Sequence, residues 1–146
     1  MQIKISYFYK IRFFTPDMIP VSTAVWGPKW YKQGTLWTDK RGVINGAFMS
    51  DLQPGPTCSH LCRGREACST GDPSSCEFLK AYKAQLDAID WDKFIHRFNV
   101  LSTKLSLPAN PTFVLMVHEA RNNPCSERWP LIQWFNEHGY ELEEVP

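Results

Sequence analysis

The period of the hydrophobic positions changes along the chain, and each change marks an element. Ile3, Ile5, Tyr7 and Tyr9 alternate with their neighbours, which predicts a first strand over residues 2–9. Phe13-Phe14-Thr15-Pro16 breaks it. The short apolar run Ile19 to Val25 predicts a second strand, with Pro20 at its start. Residues 26–57 have no period and are punctuated by Gly and Pro, which predicts a long structured loop. Helical spacing follows. Phe78, Leu79, Tyr82, Leu86 and Ile89 share one face, and Trp91, Phe94, Ile95, Phe98, Leu101 and Leu105 share another. Ser74 or Ser75 is the expected cap of the first helix and Asp90 of the second.

Phe113-Val114-Leu115-Met116-Val117 predicts a buried central strand over 113–118. A polar loop leads to a last helix, capped by Ser126, with Pro130 in its first turn and Gly139 at its stop. Leu131, Trp134 and Phe135 face inward. Tyr140, Leu142 and Val145 alternate as a final strand, with Glu141, Glu143 and Glu144 on its wet side. Strand, helix, strand implies a parallel pair. The prediction is a single α/β domain over residues 1–146, with a mostly parallel sheet and flanking helices.

Composition narrows the class. Hydrophobic residues make up 43% and charged residues 21%, with a formal net charge of +1. Overall charge therefore provides no field that selects nucleic acid or an acidic partner. No apolar run nears the roughly 20 residues of a membrane span. Lys4, Lys10 and Arg12 interrupt the opening segment, so no signal peptide is predicted and a cytoplasmic location is expected. In that compartment thiols point to metal or catalysis rather than disulfides.

Four of the five cysteines fall in Cys58-x3-Cys62-x5-Cys68-x7-Cys76, within an insert at about 54–76, with His60 in the first gap. Soft thiolates select zinc or an iron–sulfur cluster. The insert is too polar to order itself by burial, so a structural zinc is the leading expectation and a cluster the second. A functional redox or catalytic cluster is one alternative, and reduced free thiols or two disulfides are the other.

A second constellation lies after the central strand. Ligands of open α/β sheets sit outside the carboxyl ends of strands. That places Glu119, Cys125 and Arg128 as candidate catalytic residues: an acid or base, a thiol near a helix start, and an anion-gripping guanidinium. His118 stands beside them. Trp26, Lys29 and Trp30 mix aromatic faces with a cation, a pattern suited to a base and a phosphate; the alternative is that the rings pack the loop onto the core. With Tyr7 at the end of the first strand, these form the candidate ligand-binding group.

Three ordered blocks resemble the family catalogued as domain of unknown function 488. They are Ser6-Tyr7-Phe8; Ile19-Pro20-Val21-Ser22 followed by Trp26-Gly27-Pro28-Lys29-Trp30-Tyr31-Lys32; and Val114 to Val145. Relatives read Cys-His-Arg at the last helix start, where this chain has Cys125-Ser126-Glu127-Arg128, and an Arg where it has Val25. The resemblance implies a Rossmann-like domain and no settled reaction. Three functional readings follow: an enzyme acting on a nucleotide, nucleic acid or related anionic small molecule; a nucleotide-, anion- or partner-binding module with a structural four-cysteine metal site; and an iron–sulfur or thiol redox protein. The sequence leaves the oligomeric state open.

Overall fold

The computed structural model describes residues 1–59, 75–107, 109–120 and 122–146. Its strands are β1 (Gln2–Tyr7), β2 (Met18–Ser22), β3 (Trp37–Thr38), β4 (Ile44–Asn45), β5 (Thr112–Val117) and β6 (Glu143–Glu144). Its α-helices are α1 (Pro56–Ser59), α2 (Glu77–Asp87), α3 (Trp91–Lys104) and α4 (Arg128–Glu137). Four strands form one parallel sheet in the order β2-β5-β1-β6. The fold class is α/β, as the strand and helix patterns imply.

β5 is central because every residue from Phe113 to Val117 is buried. A continuous apolar run suits a strand covered on both faces. Phe113, Leu115 and Val117 join Ile3, Ile5, Ile19 and Val21 under α2, α3 and α4. There Phe94 meets Trp134 at 5.0 Å and Phe98 meets Phe113 at 5.1 Å. Val114 and Met116 point the other way, against Phe8, Ile11, Phe14, Tyr31 and Val43. That face is covered by a 3-10 helix (Phe8–Phe13) and the segment from β2 to β4.

Several expectations shift. The first strand ends at Tyr7, because burial at Phe8, Ile11 and Phe14 recurs every third residue, the period of a 3-10 helix. Pro20 lies in the middle of β2 rather than at its start. β2 is an edge strand, where a missing N–H costs no ladder bond. The long loop contains the antiparallel β3–β4 pair. Cys76 takes the cap position of α2 without a side-chain bond. Ser75 is exposed, and Ser74 lies outside the described residues. Asp90 caps α3 through the Lys93 N–H at 3.2 Å. The last strand pairs with β1, not β5, and Tyr140 Oη accepts from Ile3 N–H at 2.7 Å to hold it there. No helix of the described residues is long and apolar enough to cross a membrane.

Candidate functional site

The alternation of β5 carries past its end and separates two neighbours that sequence proximity had joined. His118 continues the Val114–Met116 side. Its ring lies 5.2 Å from that of Phe8, and its Nε2 contacts the backbone oxygen of Trp26. Glu119 continues the Val117 side, where its carboxyl is hydrogen-bonded to that of Glu127.

Burial, then the charge and hydrogen bond of Glu119, push the Glu127 carboxyl up to about 8, against a smaller opposing pull from Arg128. Glu127 therefore keeps its proton at neutral pH. Tyr82, wholly buried, is raised first by burial and then by the charges of Glu127 and Cys58. Cys58 is buried, with Sγ 3.4 Å from both the Gly55 oxygen and Gln85 Oε1. Cys76 is half-buried at the start of α2. His60, Cys62 and Cys68 lie outside the described residues.

Arg128 is 1% exposed. Its Nη1 donates to the carbonyls of Glu119 and Ala120, both at 2.9 Å. Its Nε lies 2.7 Å from Glu144 Oε1. Glu144 is thereby turned from the expected wet side into a buried ion pair. The guanidinium ties the exit of β5 to β6. Ser126 lies one residue ahead of the cap position of α4, which Glu127 takes without a side-chain bond, and its Oγ accepts from Arg128 N–H at 3.1 Å. Cys125 is buried three residues ahead of α4, and its N–H donates to Asn123 Oδ1 at 2.9 Å.

On the other face, a cleft of about 670 Å³ opens beyond the carboxyl ends of β1 and β5. Phe8, Tyr9, Trp30, Trp37, Arg12 and His118 line it. Its far wall is built around Asp39. Oδ1 accepts from the N–H groups of Arg41 (2.9 Å) and Val43 (3.1 Å). Oδ2 accepts from Arg41 Nη2 (2.8 Å) and Asn45 Nδ2 (3.3 Å). Burial alone would raise this carboxyl, but the bonds from Arg41, Val43 and Asn45 together hold it below its usual value. Arg41 Nη1 donates to the Ile11 carbonyl at 2.8 Å and so locks the β3–β4 pair to the 3-10 helix.

Asn45 is buried, and its Nδ2 also donates to the Val43 carbonyl at 3.1 Å. Two acceptors on that side fix the amide orientation, leaving Oδ1 without a donor among the described residues. Gly46 is required next to it. Its φ is +99°, and a Cβ there would lie 2.1 Å from the Thr35 carbonyl oxygen. Tyr31, fully buried, fastens the loop to β2 through bonds from its hydroxyl to the carbonyls of Pro20 (2.9 Å) and Ala47 (2.6 Å).

Of the sequence-derived ligand group, Trp30 and His118 line this cleft. Trp26 (82% exposed) and Lys29 stand outside its lining, and Tyr7 is half-buried with its ring stacked 6.1 Å from Tyr9. The packing expected of the tryptophans falls to Tyr31 instead. Tyr9, Arg12, Trp37, Arg41 and Asn45 were missed; the three-residue burial period and the Asp39-x-Arg41-x-Val43-x-Asn45 alternation were the available signals. Glu127 was noticed only as a departure from a family pattern.

The fold and site define a parallel-sheet α/β protein with an aromatic, arginine-bearing cleft at the strand ends. No protein-family model, curated protein or solved structure matches the chain.

Proposed function

We propose that this protein binds a ligand of the nucleotide class, a flat ring bearing an anionic group, in the cleft between the 3-10 helix and the β3–β4 segment. The observation that supports it is the lining: four aromatic rings beside the Arg12 guanidinium, in a volume of about 670 Å³, at the strand ends where α/β sheets hold ligands. The test is titration with nucleoside mono- and triphosphates, followed by Trp fluorescence and calorimetry. Saturable quenching that weakens in Trp30→Ala and Arg12→Ala is expected. No response to any nucleotide at millimolar concentration would reject the reading.

A second reading, an enzyme, draws on the Glu119–Glu127 pair. Burial and the neighbouring Glu119 raise the Glu127 carboxyl to about 8, which keeps a proton on it near pH 7 as a general acid needs. The pair lies on the face of the sheet opposite the aromatic cleft, so under this reading an anionic small molecule is converted there, and Glu119→Gln or Glu127→Gln slows turnover while leaving nucleotide binding in the cleft unchanged. The broader proposal keeps the expectations of a cytoplasmic, Rossmann-like member of the domain of unknown function 488 family. It also keeps an insert over about 54–76 ordered by zinc, or by an iron–sulfur cluster, on Cys58, Cys62, Cys68 and Cys76.

A further inference from the structure

The 3-10 helix Phe8–Phe13 presents three different sides, because its turn holds three residues. Phe8, Ile11 and the following Phe14 form the buried side. Tyr9 and Arg12 form the second side, with the Arg12 guanidinium 3.8 Å from the Tyr9 ring centre, and both line the cleft already described. Lys10 and Phe13 form the third, with Lys10 Nζ 5.7 Å from the Phe13 ring centre. This third side lines another cleft, of about 350 Å³, together with Lys4. Asp17 is the one acidic side chain among its lining residues. The two clefts therefore flank one short helix, and each receives one cation–aromatic pair from it.

The two sides are continuous across the surface. The rings of Tyr9 and Phe13 meet edge to face at 6.2 Å, and Tyr9 stacks at 6.1 Å on Tyr7. Phe13 is 65% exposed and Tyr9 51%. An exposed aromatic ridge flanked by cations gives successive bases a face to stack on and successive phosphates a charge to meet. The charge is concentrated in this part of the chain. Residues 1–50 contain seven Lys or Arg and two Asp, whereas the rest contains nine Lys or Arg and thirteen Asp or Glu. A net charge of +1 thus hides a basic segment and an acidic one, and the basic segment supplies most of the side of the sheet that, among the described residues, is covered without α-helices.

We propose that the two clefts form one track for a single-stranded nucleic acid, which crosses the 3-10 helix with one base against Tyr9–Arg12 and the next against Phe13–Lys10. The inference rests on the nucleotide reading of the first cleft and extends it from a monomer to a polymer. A free nucleotide needs only the first cleft. A rigid duplex hides its base faces and cannot use the ridge.

The test measures binding of four probes to the full chain: a nucleoside monophosphate, a fluorescent single-stranded ten-mer, the same ten-mer as a duplex, and heparin. The single strand is expected to bind at least about tenfold more tightly than the monophosphate, since one further stacked base contributes that much or more. Phe13→Ala and Lys10→Ala, both at surface positions, are expected to abolish that advantage while leaving monophosphate affinity unchanged. The dependence of log K on log salt should have a slope of roughly −1.4 for two phosphate contacts, and Lys10→Ala should remove roughly half of it. Equal affinity for monomer and single strand overturns the track and leaves the nucleotide reading standing. Competition by duplex or heparin as effective as by single strand also overturns it, because bare electrostatics then suffice. If neither monomer nor single strand binds, both readings fall.

Discussion

Replacing Glu127 with Gln is expected to stabilise the protein above neutral pH and to leave it unchanged near pH 5. In the fold the Glu127 carboxyl is raised from 4.5 to about 8, so the native state keeps a proton that the unfolded chain has released. A raised carboxyl contributes its stability in full below the unfolded value and loses it as pH rises through the folded one. The window is therefore pH 4.5 to 8, with stability falling upward. The shift spans about 3.5 units, and at about 1.4 kcal/mol per unit the loss has a ceiling of about 5 kcal/mol. Glu127 is only partly buried, and solvent screening lowers this ceiling, so a change of about 2–4 kcal/mol is the working figure. Gln keeps an N–H that donates to Glu119 much as the protonated acid does, and it has no proton to lose. The assay is urea unfolding by Trp fluorescence at steps from pH 5 to 9. The curves of the two proteins should coincide at pH 5 and diverge upward, with the variant above. Groups remote from Glu127 cancel in the difference. Parallel curves, or a variant less stable at pH 9, would refute the raised Glu127 carboxyl.

Three further outcomes are expected. Arg128→Ala should destabilise by about 3–5 kcal/mol in urea unfolding, because it strands the buried Glu144 carboxylate and two carbonyls; a loss below about 1 kcal/mol would show the guanidinium is dispensable. Asp39→Asn should cost about 1–3 kcal/mol through the weakened bonds to Arg41 and Asn45. Since the Asp39 carboxyl is held low, the wild-type advantage should be complete above pH 4 and disappear as pH falls below it; an advantage that persists at pH 2 would contradict the network. Metal analysis of protein purified without oxygen should give about one zinc per chain, whereas several irons and a brown colour would select a cluster, and neither metal would exclude a metal-ordered insert.

Much of the scaffold was legible because burial writes a period into sequence. The all-apolar run of β5, the helical faces of α2 and α3, and the Asp90 cap were each local signals. The site was less legible for three reasons. Strand alternation sent His118 and Glu119 to opposite faces, although adjacency suggested a common site. The 3-10 helix of Phe8–Phe13 continues a strand-like beginning, so its three-residue period was absorbed into an alternation. The Asp39 network sits mostly in the turn between two two-residue strands, and its alternation is polar, so its logic is hydrogen bonding rather than the hydrophobic period that marks the other elements. Arg128 shows the converse. Its place after the central strand suggested an anion grip, yet the carbonyls it holds and the Glu144 it pairs with became visible only when the chain closed on itself.

The carboxyl edge concentrates what selection for stability alone would remove. A carboxyl pair in a partly buried setting opposes folding above neutral pH, and one Gln would relieve it. Asn45 Oδ1 is buried without a donor among the described residues, at a cost of order 1–3 kcal/mol. Trp26 and Trp30 spread indole surface into water, where a polar side chain would serve equally well. These features lie at the carboxyl ends of β1, β2 and β5 or in the segments that follow them. Domains of this size have only about 5–15 kcal/mol to spare, so such a concentration is a substantial fraction of the whole. Sites whose local rules are broken together are where binding supplies a missing partner; under the proposed nucleotide reading, that is a donor for Asn45 and a ring for Trp30, both in the cleft lining.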